Sequence, residues 1–116
     1  MNTNHRYVLS IPLNVKDLNN ITECIPWEEV QFEDFEITKE DYDHLLPLFC
    51  EFDKPFDIFI DEYEEEVIPA SDIPTAIEMA NVYAKKASPQ VCASTEKLLA
   101  ALTRANELGK QLALFF

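Results

Sequence analysis

The chain has 116 residues, 47% of them apolar, and a formal net charge of −13 at pH 7. That length suits one domain with one core, and the apolar share excludes a disordered acidic tail, which has too little to bury to offset its ordering entropy. The charge is uneven, with nineteen acids against Lys39 and Lys54 in residues 23–78, and such a surface repels nucleic acid and anionic lipid, attracts basic proteins and favours a monomer in isolation.

The first predicted element is "YVLSIPL", residues 7–13. Tyr7, Leu9, Ile11 and Leu13 share one face, the pattern of a half-buried strand. "NVKDLNNITECI" predicts a short helix with Asn14 as its N-cap and Val15, Leu18 and Thr22 on one side. "EEVQFEDFEI" alternates at Val30 and Phe32, then changes phase to Phe35 and Ile37. A one-residue shift exchanges the sheet faces, so a bulge or turn is expected at Glu33 and Asp34, with Phe32 and Phe35 both in the core.

"TKEDYDHLLPLFCEF" opens with a helix-capping signal. Thr38 caps, Asp41 stands three residues later, and Glu40 and Asp41 place negative charge at the positive end of the helix. Tyr42, Leu45, Leu46 and Phe49 form one stripe, and Pro47 predicts an end or a kink. "FDIFI" then reads as a strand with Phe56, Ile58 and Ile60 on one face and Asp57, Phe59 and the following Asp61 on the other. "EVIP" is expected to pair with it through the acidic turn "DEYEEE".

"SDIPTAIEMANVYAKKA" is the clearest helix. Ser71 or Asp72 caps it, Pro74 suits its first turn, and Ile73, Ile77, Ala80 and Ala84 mark its apolar face. After a break at "SPQ", Ser94 is expected to cap a second helix in which Leu98, Leu102 and Ala105 pack and which Gly109 closes. "KQLALFF" ends the chain as a strand covered on both faces. This order predicts an α/β or α+β fold, a single-domain sandwich of a mixed sheet covered by helices.

Chemistry-bearing motifs are scarce. A single glycine excludes a phosphate-binding loop and a dinucleotide fingerprint, and no cofactor is expected. Cys24, Cys50 and Cys92 are odd in number, widely spaced and in largely apolar contexts, and with two histidines they make no zinc set. They read as reduced core-type thiols of a cytoplasmic protein. The first residues hold no long apolar leader, and no run nears the ~20 apolar residues of a membrane helix. His5 lies near the terminus. His44, beside the Tyr42 stripe, reads as a boundary histidine, and no motif joins it to Cys50. Among twenty-two acids a pair at catalytic distance arises by chance, so no catalytic residue is assigned. "DEYEEE" lacks the spaced ligands and central glycine of a calcium loop, so no metal is assigned either.

What remains is the acid itself. Charges at a strand end discourage edge-to-edge pairing, which explains two or three of them but not nineteen. The excess costs stability through self-repulsion, which argues for a use. Aromatic residues interleave with the acids, and aromatic anchors within a charged rim characterise protein interfaces. The candidate partner-binding residues are Asp61, Glu62, Tyr63, Glu64, Glu65 and Glu66, with Glu33, Asp34 and Trp27; the cluster at Glu28 to Glu36 and the acidic helix start at Glu40 to Asp43 are rivals to Asp61 to Glu66.

In size, acidity and layout the chain resembles bacterial immunity proteins of contact-dependent growth inhibition and related polymorphic toxin systems. The resemblance spans the whole chain, through its acidic middle, "VIPASDIPTAIEMANVYAKKA" leading into a second helix, and the terminal "LALFF". It implies a non-enzymatic protein that binds and neutralises a cognate toxin with a basic surface, often a nuclease. Two other classes stay open: a nucleic-acid mimic that inhibits a DNA- or RNA-binding protein, and an acidic secretion chaperone.

Overall fold

The computed structural model describes residues 6–14, 26–61 and 65–116, with Trp27 described by its backbone. Four strands form one sheet in the order β2-β1-β4-β3: β1 Tyr7–Pro12, β2 Phe32–Ile37, β3 Glu65–Ile68 and β4 Leu112–Phe115. Three helices follow their sequence signals: α1 Lys39–Phe56, α2 Ile73–Lys85 and α3 Pro89–Leu108. The architecture is a single α+β domain. Every strand pair is antiparallel, so the sheet is not the expected mixed one.

The layering follows from period-2 alternation. Leu9, Ile11, Leu112, Leu114 and Ile68 point to one side and join Leu45, Phe49, Phe52, Leu98 and Leu102 of the helices in one core. Tyr7, Tyr42, Phe49 and Phe116 close one region of it as a cluster of tilted and edge-to-face rings with centroids 5.1 to 6.2 Å apart. Central β4 is buried at Leu112, Ala113 and Leu114, as its unbroken apolar run predicts.

Several local expectations are corrected. β2 pairs with β1 without a bulge, from Tyr7 opposite Ile37 to Pro12 opposite Phe32. The apparent phase shift arises because Phe35 and Ile37 face the helices while Phe32 faces the other side, so Phe32 is not in the main core. α1 runs through Pro47 to Phe56. Pro47 is exposed, so the carbonyl it leaves unbonded meets solvent, at a cost of about 3 kcal/mol. Burying Leu48, Phe49, Phe52 and Phe56 beyond it, at roughly 2 kcal/mol each, outweighs that. Leu48 replaces Leu46 in the buried stripe.

The expected "FDIFI" strand is absent. Phe56 ends α1, Asp57 closes it in a left-handed conformation with φ 54°, and residues 58–61 run irregularly. β3 therefore pairs with β4. Its helix-side carboxylate, Glu66, accepts the Phe59 amide at 3.0 Å, and Asp53 accepts the Ile60 amide at 3.0 Å. α3 starts earlier than expected, capped by Ser88 with Pro89 in its first turn, which leaves Ser94 buried inside the helix. Asp72 precedes α2 but makes no side-chain cap. The Thr38–Asp41 capping box and the left-handed Gly109 stand as expected. Cys92 is half-buried and Cys50 is exposed, so Cys50 is not a core thiol; the predicted helix after Asn14, and Cys24, lie outside the described residues.

Candidate protein-binding face

All three helices share the Leu9 side of the sheet. The other side is built from Val8, Ser10 and Pro12 of β1, Phe32, Asp34 and Glu36 of β2, Ala113 and Phe115 of β4, and Glu65 and Val67 of β3. Phe32 and Phe115 sit at opposite ends of β1, opposite Pro12 and Val8, yet their rings meet edge to face at 5.7 Å. Both must lean over the midpoint, Ser10, which explains why a serine on an outer sheet face is only 1% exposed.

Against these rings lies a shallow cavity of ≈ 350 Å³. Val8, Phe32 and Phe115, all half-buried, form its floor, and the exposed Arg6, Asp34 and Glu65 form its rim. The rim is fixed by hydrogen bonds. Ser10 donates to Asp34 Oδ1 at 2.6 Å. Arg6 donates Nε and Nη2 to the two oxygens of Glu36 at 2.9 and 3.3 Å, which holds that carboxyl below its usual pKa. The exposed pair stabilises little but fixes where the carboxylate stands.

The alternation of β2 separates two neighbours that the sequence reading grouped. Asp34 joins the open face, whereas Glu33 points to the helix side and accepts Arg104 Nε at 3.0 Å. Glu65 and Glu66 divide in the same way, with Glu65 at the cavity rim and Glu66 bonded to the Phe59 amide. Asp61 is exposed, Trp27 opens the 3-10 turn Trp27–Glu29, and Glu62, Tyr63 and Glu64 lie outside the described residues. The acidic helix start contributes no cluster: Lys39 Nζ binds Asp43 at 3.0 Å, and Asp41 turns inward. Sequence patterning alone does not mark Glu36, Arg6, Val8 or Phe115 as site residues. Alternation from Asp34 would have found Glu36; the other three depend on strand order.

A second polar constellation lies between the helices. The Asp41 side chain, 9% exposed, accepts Ser94 Oγ at 2.7 Å, Lys97 Nζ at 2.7 Å and the Thr38 amide at 3.0 Å. Burial pushes its pKa up, but the hydrogen bonds from Lys97, Thr38 and Ser94 outweigh burial and hold the carboxyl well below its usual range. His44 Nδ1 lies 2.9 Å from Ser94 Oγ. Ser94 has one proton and gives it to Asp41, so His44 must donate from Nδ1. Tyr83 donates its hydroxyl to the His44 carbonyl at 2.6 Å. Aspartate, serine and histidine thus meet, but the serine is 2% exposed and its proton goes to a carboxylate, so it is no activated nucleophile. The arrangement ties α1, α2 and α3 together.

Another cavity, ≈ 360 Å³, lies along α2 between Glu51 and Lys86, floored by Met79, Val82 and Tyr83, and includes none of the residues singled out from sequence. Among the described residues no group of His, Cys, Asp and Glu side chains gathers as metal ligands would. No helix among them is long and apolar enough to cross a membrane. No protein-family model, curated protein or solved structure matches this chain.

Proposed function

We propose that the chain is an immunity-type inhibitor, which binds a basic toxin domain through the open face of its sheet and blocks it without catalysis. The observation that carries this reading is the composition of that face. Half-buried Val8, Phe32 and Phe115 sit inside a rim of Asp34, Glu65 and Arg6, whose charge is offset by neighbouring Glu36, so that an apolar centre lies within a net acidic surround. The net charge of −13 supports it. Opposite fields steer association and can raise on-rates by a factor of about 10 to 1,000, which a cell exposed to a toxin requires. A toxin that acts on nucleic acid presents Lys and Arg where phosphates bind, and carboxylates can occupy the same positions.

The test is capture by the tagged protein from cells of its source expressing the neighbouring genes, with elution in a salt gradient. One stoichiometric basic protein is expected, toxic when expressed alone and neutralised by this chain at a one-to-one ratio. A broad set of nucleic-acid-binding proteins eluting together would replace immunity with mimicry. A captured protein that binds but stays toxic would refute the inhibitor assignment.

A further inference from the structure

The sheet ends in two edges, β2 and β3. β2 is the longer, at six residues; β3 has four and is closed by Pro69. β1 bonds one side of β2, and among the described residues no other backbone group bonds to residues 33–37. An edge of this length is a template for another strand, which native sheets usually pair, cover or charge.

We propose that the outer edge of β2 takes an extended segment of the basic partner as a fifth strand. This rests on the reading above and specifies how the partner docks. The register defines the segment. Asp34 and Glu36 stand on the open face, and Phe35 between them faces the helices, half-buried against the core. A strand laid beside β2 places residues directly opposite these three. Lys or Arg opposite Asp34 and Glu36 completes two cross-strand charge pairs, and an apolar residue opposite Phe35 extends the core side. The segment reads basic, apolar, basic. Ser10 and Arg6 already fix the two carboxylates, each of which keeps lone pairs for a second donor. A second copy of this chain is disfavoured as the occupant, because its edges would set acid against acid. Main-chain hydrogen bonds supply affinity and the alternation supplies specificity.

The experiment uses the intact protein and labelled nonapeptides that alternate Lys and Val, read by fluorescence anisotropy at low salt. Controls are a blocked-sequence peptide of the same composition and two peptides N-methylated on alternate sets of amides. The alternating peptide is expected to bind at least tenfold more tightly than the blocked one. Methylation of the set facing β2 should weaken binding at least tenfold, and methylation of the other set should leave it unchanged. Asp34→Lys, at an exposed position and with folding checked by circular dichroism, should also weaken binding at least tenfold. The alternate amides of residues 33–37 that point away from β1 should gain hydrogen-exchange protection. Equal binding of all four peptides would overturn strand addition while leaving acidic attraction intact. Protection confined to β3 would overturn the assignment to β2. Absence of salt-sensitive binding by every peptide would overturn both this inference and the acidic-surface reading.

Discussion

Replacing Asp41 with Asn tests whether the polar network between the helices governs stability. The carboxylate accepts from Ser94, Lys97 and the Thr38 amide, and its side chain is 9% exposed. Asn keeps the shape but replaces one acceptor with a donor, so at least one of those donors loses its partner. A buried unsatisfied group costs about 1–3 kcal/mol. The pairing with Lys97 adds about 1 kcal/mol, because the lysine is half-exposed and solvent screens it. The expected loss is about 2–4 kcal/mol at pH 7, read as the change in urea midpoint at constant slope. The pH dependence gives an independent check. The folded-state pKa of Asp41 is depressed, so its contribution is complete above the unfolded value of about 3.9 and is lost as pH falls below it. The gap between wild type and Asp41→Asn should therefore narrow by about 1–2 kcal/mol between pH 6 and pH 2.5. A gap under about 0.5 kcal/mol at pH 7, or one constant across that range, would refute the reasoning.

Phe49→Ala should cost about 3–5 kcal/mol in chemical denaturation, since the fully buried ring meets Tyr42, Phe52 and Phe116. Gly109→Ala should cost about 1–2 kcal/mol through left-handed strain alone, because φ is +65° and an added Cβ meets nothing within 4 Å; an unchanged melting midpoint would refute this. Asp34→Lys with Glu65→Lys should leave the fold intact, by circular dichroism, yet slow association with the proposed basic partner in stopped flow and flatten its salt dependence.

Elements with local signals were legible in the sequence. Thr38 and Asp41 cap α1 through groups three residues apart, and Gly109 ends α3 through its own backbone freedom. Features set by distant contacts were not. "FDIFI" alternates like a strand, but Phe56 continues the α1 stripe of Leu45, Leu48, Phe49 and Phe52, and tertiary packing overrides the local pattern. Ser94 has a capping side chain, yet Ser88 with Pro89 starts α3 six residues earlier and Ser94 binds Asp41, fifty-three residues away. Within the candidate face, Asp34 and Glu65 were visible as acids, but their meeting at one cavity depends on the order β2-β1-β4-β3.

The same order explains how a chain with so much acid directs it outward. In β2, "FEDFEI", the acids fall on both faces, and the two faces have different neighbours. Glu33, on the helix side, meets Arg104 from α3, a base contributed by the C-terminal flank. Asp34, on the open side, meets the neutral Ser10, which holds the carboxylate in place without cancelling its charge. Arg6 balances Glu36 there, while Glu65 across the cavity has no ion pair among the described residues. On the helix side Glu33 meets a base and Glu66 a backbone amide, and on the outer face Arg6 pairs with Glu36 while Asp34 and Glu65 make no ion pair among the described residues. Period-2 alternation over a layer of helices places Asp34 and Glu65 on the outer face beside its apolar floor, and the proposed docking of a basic protein rests on that placement.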